Sequence, residues 1–502
     1  MKKLIFSFVI GSVLFLALFL GCGDFTPPDI HENPPATNAD SERKDVLALK
    51  HLQIPDISED TLASYVMDFI HITAVSESET GRSVQSAPAV VITKTTKITH
   101  EVQTGFAETT ADKRSARSVI GPGQIPFYVF TLENQQTGKT GFALTCGDNR
   151  IGAVLAVVEE GNYDDADNPL LGIFYVGLNA YIENTIDIYN GITEADIENA
   201  LNKTNKADRA TAPNLPITDV GKIGKLEGKK ERLETVFWHQ YSPYNDIIMT
   251  EKRHPEELVY IAGCGPVAIA IIMAYHGKTR AEAGKLNPYS VSKAKGYTNV
   301  KYDWKKMVDG EDDKAIGVLM WEIGLPNNAN ADYKMGVEDT NDDQNKKKEA
   351  LTTTYNSDII RCFNNMEYKT RGSFQRYNIG DIKSSIKNKE PVIAVGYTEK
   401  EETTILFIVI PTYDKGHYWV IEGCAELATD VKDKVTGEIM PDYPLDYVYC
   451  NMGWRERKVN GWYVSGVFNT DNIPEEANRS AEVVDNFFQY DIKILTGIRP
   501  KD

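Results

Sequence analysis

From 263 to 276 the chain reads Gly-Cys-Gly-Pro-Val-Ala-Ile-Ala-Ile-Ile-Met-Ala-Tyr-His, and no face of a helix built on it is polar. An apolar run without a polar stripe predicts a helix buried on all sides. Gly263 and Gly265 allow a sharp turn, and Pro266 suits a first helical turn, where its missing N–H is not needed. The helix is therefore expected to start at Cys264. From 415 to 424 the pattern changes to Lys-Gly-His-Tyr-Trp-Val-Ile-Glu-Gly-Cys, alternating and rich in aromatic and β-branched residues. That predicts a strand entered through a glycine turn. A second alternating run, Tyr447 to Asn451, ends just before another glycine turn.

A chain of 502 residues has room for more than one domain. Two folded regions are expected, 49–205 and 235–500, each large enough for its own core. Between them, 206–234 mixes Lys and Arg with Pro and Gly and reads as an exposed, cleavable linker. The segment 86–125 is polar and Thr-rich, ends in Gly-Pro-Gly, and is assigned no element. No repeat period is present. The formal charge of −18 argues against nucleic acid or an anionic membrane surface as a partner.

The chain has six cysteines, spaced neither as a disulfide framework nor as a zinc site, and no His-Glu-x-x-His motif or phosphate-cradling loop. No cofactor and no metal are expected. Cys424 and Cys450 fall on neighbouring predicted strands and read as buried thiols rather than a disulfide.

Cys264 at a helix N-terminus suits a nucleophile, because unpaired amides and the helix dipole favour the thiolate. The same residue also fits an inert buried thiol at a helix start. A nucleophile needs a base, and the chain has eight histidines. His417 is the candidate: it lies on a predicted strand and follows Cys264 by about 150 residues, close to the papain-like spacing. Asn451, at a strand end, is a candidate to hold the His417 tautomer. Gln240, in Phe237-Trp-His-Gln-Tyr-Ser-Pro-Tyr-Asn245, is a candidate oxyanion donor beside the Cys264 N–H.

These segments resemble the streptopain family of papain-like cysteine peptidases. The resemblance is carried by Trp238-His-Gln-x-x-Pro-Tyr-Asn245, by Gly263-Cys264 with Met273-Ala-Tyr-His276, and by Tyr302-Asp-Trp304. It continues through Gly416-His-x-Trp-Val-Ile-x-Gly423, Asn451-x-Gly-Trp454 and Asn460-Gly-x-Tyr463, and so spans most of 235–475. It implies Cys264 as nucleophile, His417 as acid and base, Gln240 as oxyanion donor and Asn451 as the residue orienting His417, with Trp238 and Trp454 as site walls. The implied fold is α+β and papain-like: a helical part with the nucleophile helix and an antiparallel sheet part.

Some positions depart from the family pattern. Met452 stands where the family has Trp, and Glu422 where it has Asp. Gly265-Pro266 follows the nucleophile, as in bacteriocin-processing peptidases. Upstream, Gly141-Phe-Ala-Leu-Thr-Cys-Gly-Asp148 and the residues to Leu170 resemble the family's propeptide, which implies an α+β propeptide-like domain and a zymogen.

The N-terminus adds an address. Met-Lys-Lys, the apolar run Leu4 to Leu20 and Gly21-Cys22 read as a bacterial export signal over 1–22, too short for a spanning helix. Phe19-Leu-Gly-Cys22 resembles a lipobox, making Cys22 the expected lipidation site. A Pro-, Asp- and Asn-rich tether follows over 23–48.

The expected protein is an exported cysteine endopeptidase at the cell envelope, lipid-anchored or released by processing. Its expected partners are protein or peptide substrates and its own propeptide region as intramolecular inhibitor, with membrane contact only through the N-terminal lipid. Two other readings stand beside it: a catalytically silent surface binding module with an occluded cleft, and a papain-like amidase acting on cell-wall peptide.

Overall fold

The computed structural model describes residues 57–74, 90–101, 124–148, 151–163 except 152, scattered positions between 174 and 185, 220–252, 258–333, 348–405 except 351, 408–433, 439–441, 445–454, 459–469 and 490–501. The expected signal segment with Cys22 and the tether 23–48 lie outside the described residues.

Among the described residues, twelve strands form one antiparallel sheet. In chain order they are β1 (Val90–Glu101), β2 (Gln124–Asn134), β3 (Thr140–Cys146), β4 (Val154–Val158), β5 (Val220–Arg232), β6 (Gln375–Arg376), β7 (Val392–Ile405), β8 (Ile408–Asp433), β9 (Ile439–Pro441), β10 (Leu445–Asn451), β11 (Gly461–Val464) and β12 (Tyr490–Leu495). Across the sheet the order is β1-β2-β3-β4-β11-β10-β8-β7-β12-β6, with β5 and β9 also paired to β8. The helices are α1 (Glu59–Ala74), α2 (Asp246–Lys252), α3 (Cys264–Glu282), α4 (Trp304–Val308), α5 (Asp313–Gly324), α6 (Asn356–Asn365) and α7 (Ile379–Lys387).

The period-two alternation of the central strands divides the interior into two cores. Ile393 and Val395 of β7, with Tyr418 and Val420 of β8, face a core built around α3, α5 and α6. Val392 and Ala394, with Trp419 and Ile421, face the other core, where α1 contributes Leu62, Val66 and Phe69, and α7 contributes Ile382 and Ile386. α3 begins at Cys264 as the pattern predicts, and Val267 to Ala274 are all buried. The helical part carrying Cys264 and the antiparallel part carrying His417 together form the α+β papain-like arrangement expected above.

Two features lay beyond the pattern. The upstream strands do not form a separate sheet: β4 pairs with β11 through Val158↔Gly461, Val157↔Trp462 and Ala156↔Tyr463. A Cβ on Gly461 would lie 2.5 Å from the Val157 carbonyl oxygen, so this approach requires glycine. Inside the interval read as a linker, Val220–Arg232 is a strand, running antiparallel to β8 from Gly423↔Arg232 to Asp433↔Val220. Its Lys- and Gly-rich composition reads as loop, but β8 supplies the hydrogen-bond ladder, and tertiary pairing overrides weak strand propensity. The polar 86–125 interval likewise contains β1, paired along its length with β2.

α3 touches its neighbours so closely that one position is restricted to glycine. A Cβ on Gly277 would lie 2.3 Å from Trp304, a buried ring whose Nε1–H donates to the Tyr289 carbonyl at 3.2 Å. In a helix, Ala normally gains about 1 kcal/mol over Gly. Here overpacking costs about 1–3 kcal/mol or more, and displacing a hydrogen-bonded indole lies at the upper end. Gly277→Ala is expected to lower unfolding free energy by at least about 1 kcal/mol in urea titration. An unchanged or raised midpoint contradicts this packing.

Candidate active site

Four separate segments meet at the N-terminus of α3. Gly263, its N-cap, has φ 93°, a backbone conformation suited to glycine. A Cβ there would sit 2.6 Å from Thr352 Cγ2, and one on Gly265 would sit 3.0 Å from Thr354 Cβ. The Thr352–Thr354 strip thus lies directly against the turn at Cys264. The Tyr418 hydroxyl anchors this strip by donating toward the Thr354 carbonyl at 3.1 Å and Asn356 Oδ1 at 2.7 Å.

The Cys264 thiol is half-buried, and the backbone amides of Tyr418, Gly265 and Cys264 lie close enough to favour its thiolate. Tyr418 is the residue after His417 on β8, so the sulfur lies near the backbone of that strand. Gln240 is buried, and its carbonyl accepts from Ala262 N–H at 2.9 Å, which ties the Trp238–Gln240 segment to the residue two before the thiol. Gly453, at φ 65°, closes the group: a Cβ there would lie 2.8 Å from Val267 Cγ1 and 3.7 Å from the Trp238 carbonyl oxygen. All the expected site residues except Cys22, which lies outside the described residues, therefore belong to segments in mutual contact.

His417 is buried, and its ring stacks on Trp454 at 4.9 Å and 7° and on Trp419 at 6.4 Å and 12°. A ring N–H donates to the Met452 carbonyl. Trp454 therefore supplies the aromatic cover that sequence comparison sought at position 452.

The contacts of Asn451 differ from the direct imidazole bond that was expected. Its Nδ2 donates to Val236 O at 2.9 Å, Thr235 Oγ1 at 3.0 Å and Glu422 Oε2 at 3.4 Å. Its Oδ1 accepts from Gly453 N–H at 3.3 Å and Asn460 Nδ2 at 3.4 Å. With both ends of the amide engaged this way, Asn451 meets the Met452–Gly453 peptide, and that peptide meets the imidazole. No sequence pattern marks a backbone carbonyl as a histidine partner. Asn460 was visible only as part of the Asn-Gly-x-Tyr motif.

The electrostatic expectation also changes. Helix amides were expected to favour the thiolate, and those of Cys264 and Gly265 do act in that direction, as does the amide of Tyr418. Burial outweighs them and pushes the thiol above its ordinary value. Burial likewise lowers His417 to about 4, against a smaller upward pull from the Met452 carbonyl. Burial thus favours a neutral thiol and a neutral imidazole. Among the other histidines, His276 Nε2 lies 2.8 Å from the Ile498 carbonyl oxygen, and burial holds that ring neutral with a pKa of about 4.

No disulfide joins Cys146, Cys264, Cys362, Cys424 or Cys450. Cys424 faces Val448 and Cys450 faces Ile421, so the two are not opposite each other in register. Among the described residues, no group of His, Cys, Asp and Glu is arranged to hold a metal ion.

A cysteine at a helix start and a strand histidine in an α+β fold are the elements of a cysteine-type peptidase of papain-like architecture. Residues 238–463 match the model of the Peptidase C10 family, the streptopain family. Among solved structures, a fragment of Prevotella intermedia prointerpain A is similar at 16% identity, covering 75% of this chain and 96% of its own, with a TM-score of 0.38. No curated protein matches.

A neutral resting pair has a kinetic signature. In the intact chain, alkylation of Cys264 by iodoacetamide, followed by peptide mapping, should be slow near pH 7 and rise steadily above pH 9, about the ordinary thiol value. A fast plateau between pH 5 and 8 would mean a preformed thiolate–imidazolium pair and contradict this description.

Proposed function

We propose that the protein is an exported cysteine endopeptidase, made as a zymogen, that cleaves peptide bonds through a Cys264 acyl-enzyme. The observation supporting this reading is that the Tyr418 amide, next to His417 along β8, lies close to the Cys264 sulfur at the start of α3. His417 takes the thiol proton, and the thiolate attacks the scissile carbonyl. The resulting imidazolium then protonates the leaving amine as the C–N bond breaks. Water, deprotonated by His417, attacks the thioester and releases the acid, returning the proton to the cysteine. The oxyanion is held by the Cys264 N–H and the Gln240 side-chain amide, each worth about 3 kcal/mol.

Latency follows from the same electrostatics. A neutral pair becomes an ion pair when its surroundings become more polar, so removing material that dries the site raises activity. The upstream region is the candidate inhibitor. β5 carries Arg232 against the catalytic sheet, so a maturation cut that preserves the site falls before Val220. Export through the 1–22 segment and lipidation at Cys22 complete the proposal. They rest on the charged start, the apolar run and the lipobox-like sequence, and place the enzyme at the cell envelope.

Cys264→Ala is expected to abolish both turnover of a broad protein substrate and labelling by a peptidyl thiol electrophile, and persistent labelling at another cysteine would remove Cys264 from its role. Gln240→Ala should cut kcat about 10²- to 10³-fold with little change in KM, and an unchanged kcat would exclude it as the oxyanion donor.

Processing gives a separate check. N-terminal sequencing of the self-processed wild-type chain should find an end before Val220, with no processing in Cys264→Ala. An active form beginning after Arg232 would contradict the placement of β5 in the mature enzyme.

A further inference from the structure

The upstream strands are built into the catalytic sheet rather than laid over it. β4 is buried along its whole length and pairs with β11. Backbone bonds continue past the paired residues: Glu159 N–H donates to the Asn460 carbonyl at 3.3 Å, and Val459 N–H to the Glu160 carbonyl at 2.9 Å. The Tyr447 hydroxyl of β10 donates to the Val154 carbonyl at 2.7 Å. Were β4 to leave, the buried strand Gly-Trp-Tyr-Val of β11 would become an open edge of unpaired backbone groups.

The same continuity holds in the core. On α1, Phe69 meets two rings of the catalytic region edge-on, Tyr447 at 5.0 Å and Trp462 at 6.4 Å, and all three are buried. α1 also grips β5, which a cut before Val220 leaves on the catalytic side. There Leu226 N–H donates to Asp68 Oδ2 at 3.1 Å, and the Lys230 ammonium donates to the Thr73 carbonyl. Arg232 of β5 pairs with Glu159 at 2.9 Å.

A row of rings leads from the upstream region to the site itself. Phe174 packs on Tyr463 at 5.0 Å, Tyr463 on Phe468 at 6.3 Å, and Phe468 on Trp419 at 6.1 Å. Trp419 in turn stacks on His417. A cover that departs on activation needs a face that tolerates water. This face is aromatic, buried and bonded through backbone groups, and so has the character of an obligate interface, a core cut in half.

We propose that the upstream region is a permanent subunit of the mature enzyme: after the cut before Val220, the fragment carrying α1, β1 to β4 and Phe174 stays bound to the catalytic fragment, and the active particle has two chains. The partner this surface fits is a segment of the same chain. The proposal rests on the zymogen reading above and refines it, because the part of the upstream region whose loss relieves latency then lies outside these packed elements. The retained fragment backs the row of rings that ends at His417.

A cut made without Cys264 separates the two questions. A recognition site for an added sequence-specific protease is placed within 206–219 of the full-length Cys264→Ala chain. The chain is cut and run on a size-exclusion column with light scattering, in low and in high salt. The two fragments should elute together, one to one, in both. Their elution apart overturns the proposal. In the same cut chain, Phe69→Ala should speed dissociation of a labelled upstream fragment at least about tenfold, and an unchanged rate overturns the interface described. If Phe69→Ala does not fold before cutting, the elution result decides alone.

The self-processed wild-type enzyme gives the matching result for the active form. Labelled with a biotinylated peptidyl thiol electrophile and captured, the catalytic chain should bring the upstream fragment with it. An active, captured chain free of that fragment overturns the proposal. Failure of the electrophile to label the enzyme at all would instead refute the peptidase reading, and the cut-chain result would stand on its own.

Discussion

The N-terminus of α3 can reach β8 only because two residues flanking Cys264 have no side chain. Gly263 and Gly265 lie against Thr352 and Thr354 at distances that leave no room for a Cβ without movement. This approach brings the Cys264 sulfur to the Tyr418 amide. The apolar body of α3 holds the helix in place, since it is buried against the α5 and α6 side chains and the near face of the sheet. Thus the residues that supply hydrophobic stability and those that set the thiol's position belong to one short stretch of chain. A shift of α3 toward solvent would cost both, because interiors at close-packed density do not deform continuously.

From that junction the site extends into the far side of the sheet. His417 stacks with Trp419 and Trp454, and its ring bonds to the Met452 backbone. Those interactions orient the imidazole and also exclude water, which explains why the histidine is held neutral. The same dryness raises the thiol. One enclosure therefore both places the imidazole and favours the neutral form of the two groups. The continuous sheet from β1 to β6 joins the upstream strands to the catalytic ones through β4 and β11. Displacing the upstream region would consequently change the far face on which the histidine depends.

Much of this was legible in sequence where local pattern and burial coincide. The all-apolar run after Cys264 read as a buried helix, and the alternation from Gly416 to Cys424 read as a strand. What escaped was set by partners distant along the chain. Arg232 is placed by Glu422 and Tyr449, and a basic, glycine-bearing segment looks like a linker until β8 is known to run beside it. The thiol's direction of shift escaped for a related reason: the helix amides are a local feature, whereas desolvation depends on the whole enclosure. Asn451 was identified as a site residue from its motif, but its hydrogen bonds required Thr235, Glu422 and Asn460 to be placed first.

The most direct measurement is an acid quench during turnover of an activated peptide ester, followed by mass mapping of the trapped acyl group. The account predicts one acyl group per active site, as a thioester on the peptide containing Cys264. Turnover that proceeds with no acyl-enzyme at Cys264, or with the acyl group on another residue, would contradict it.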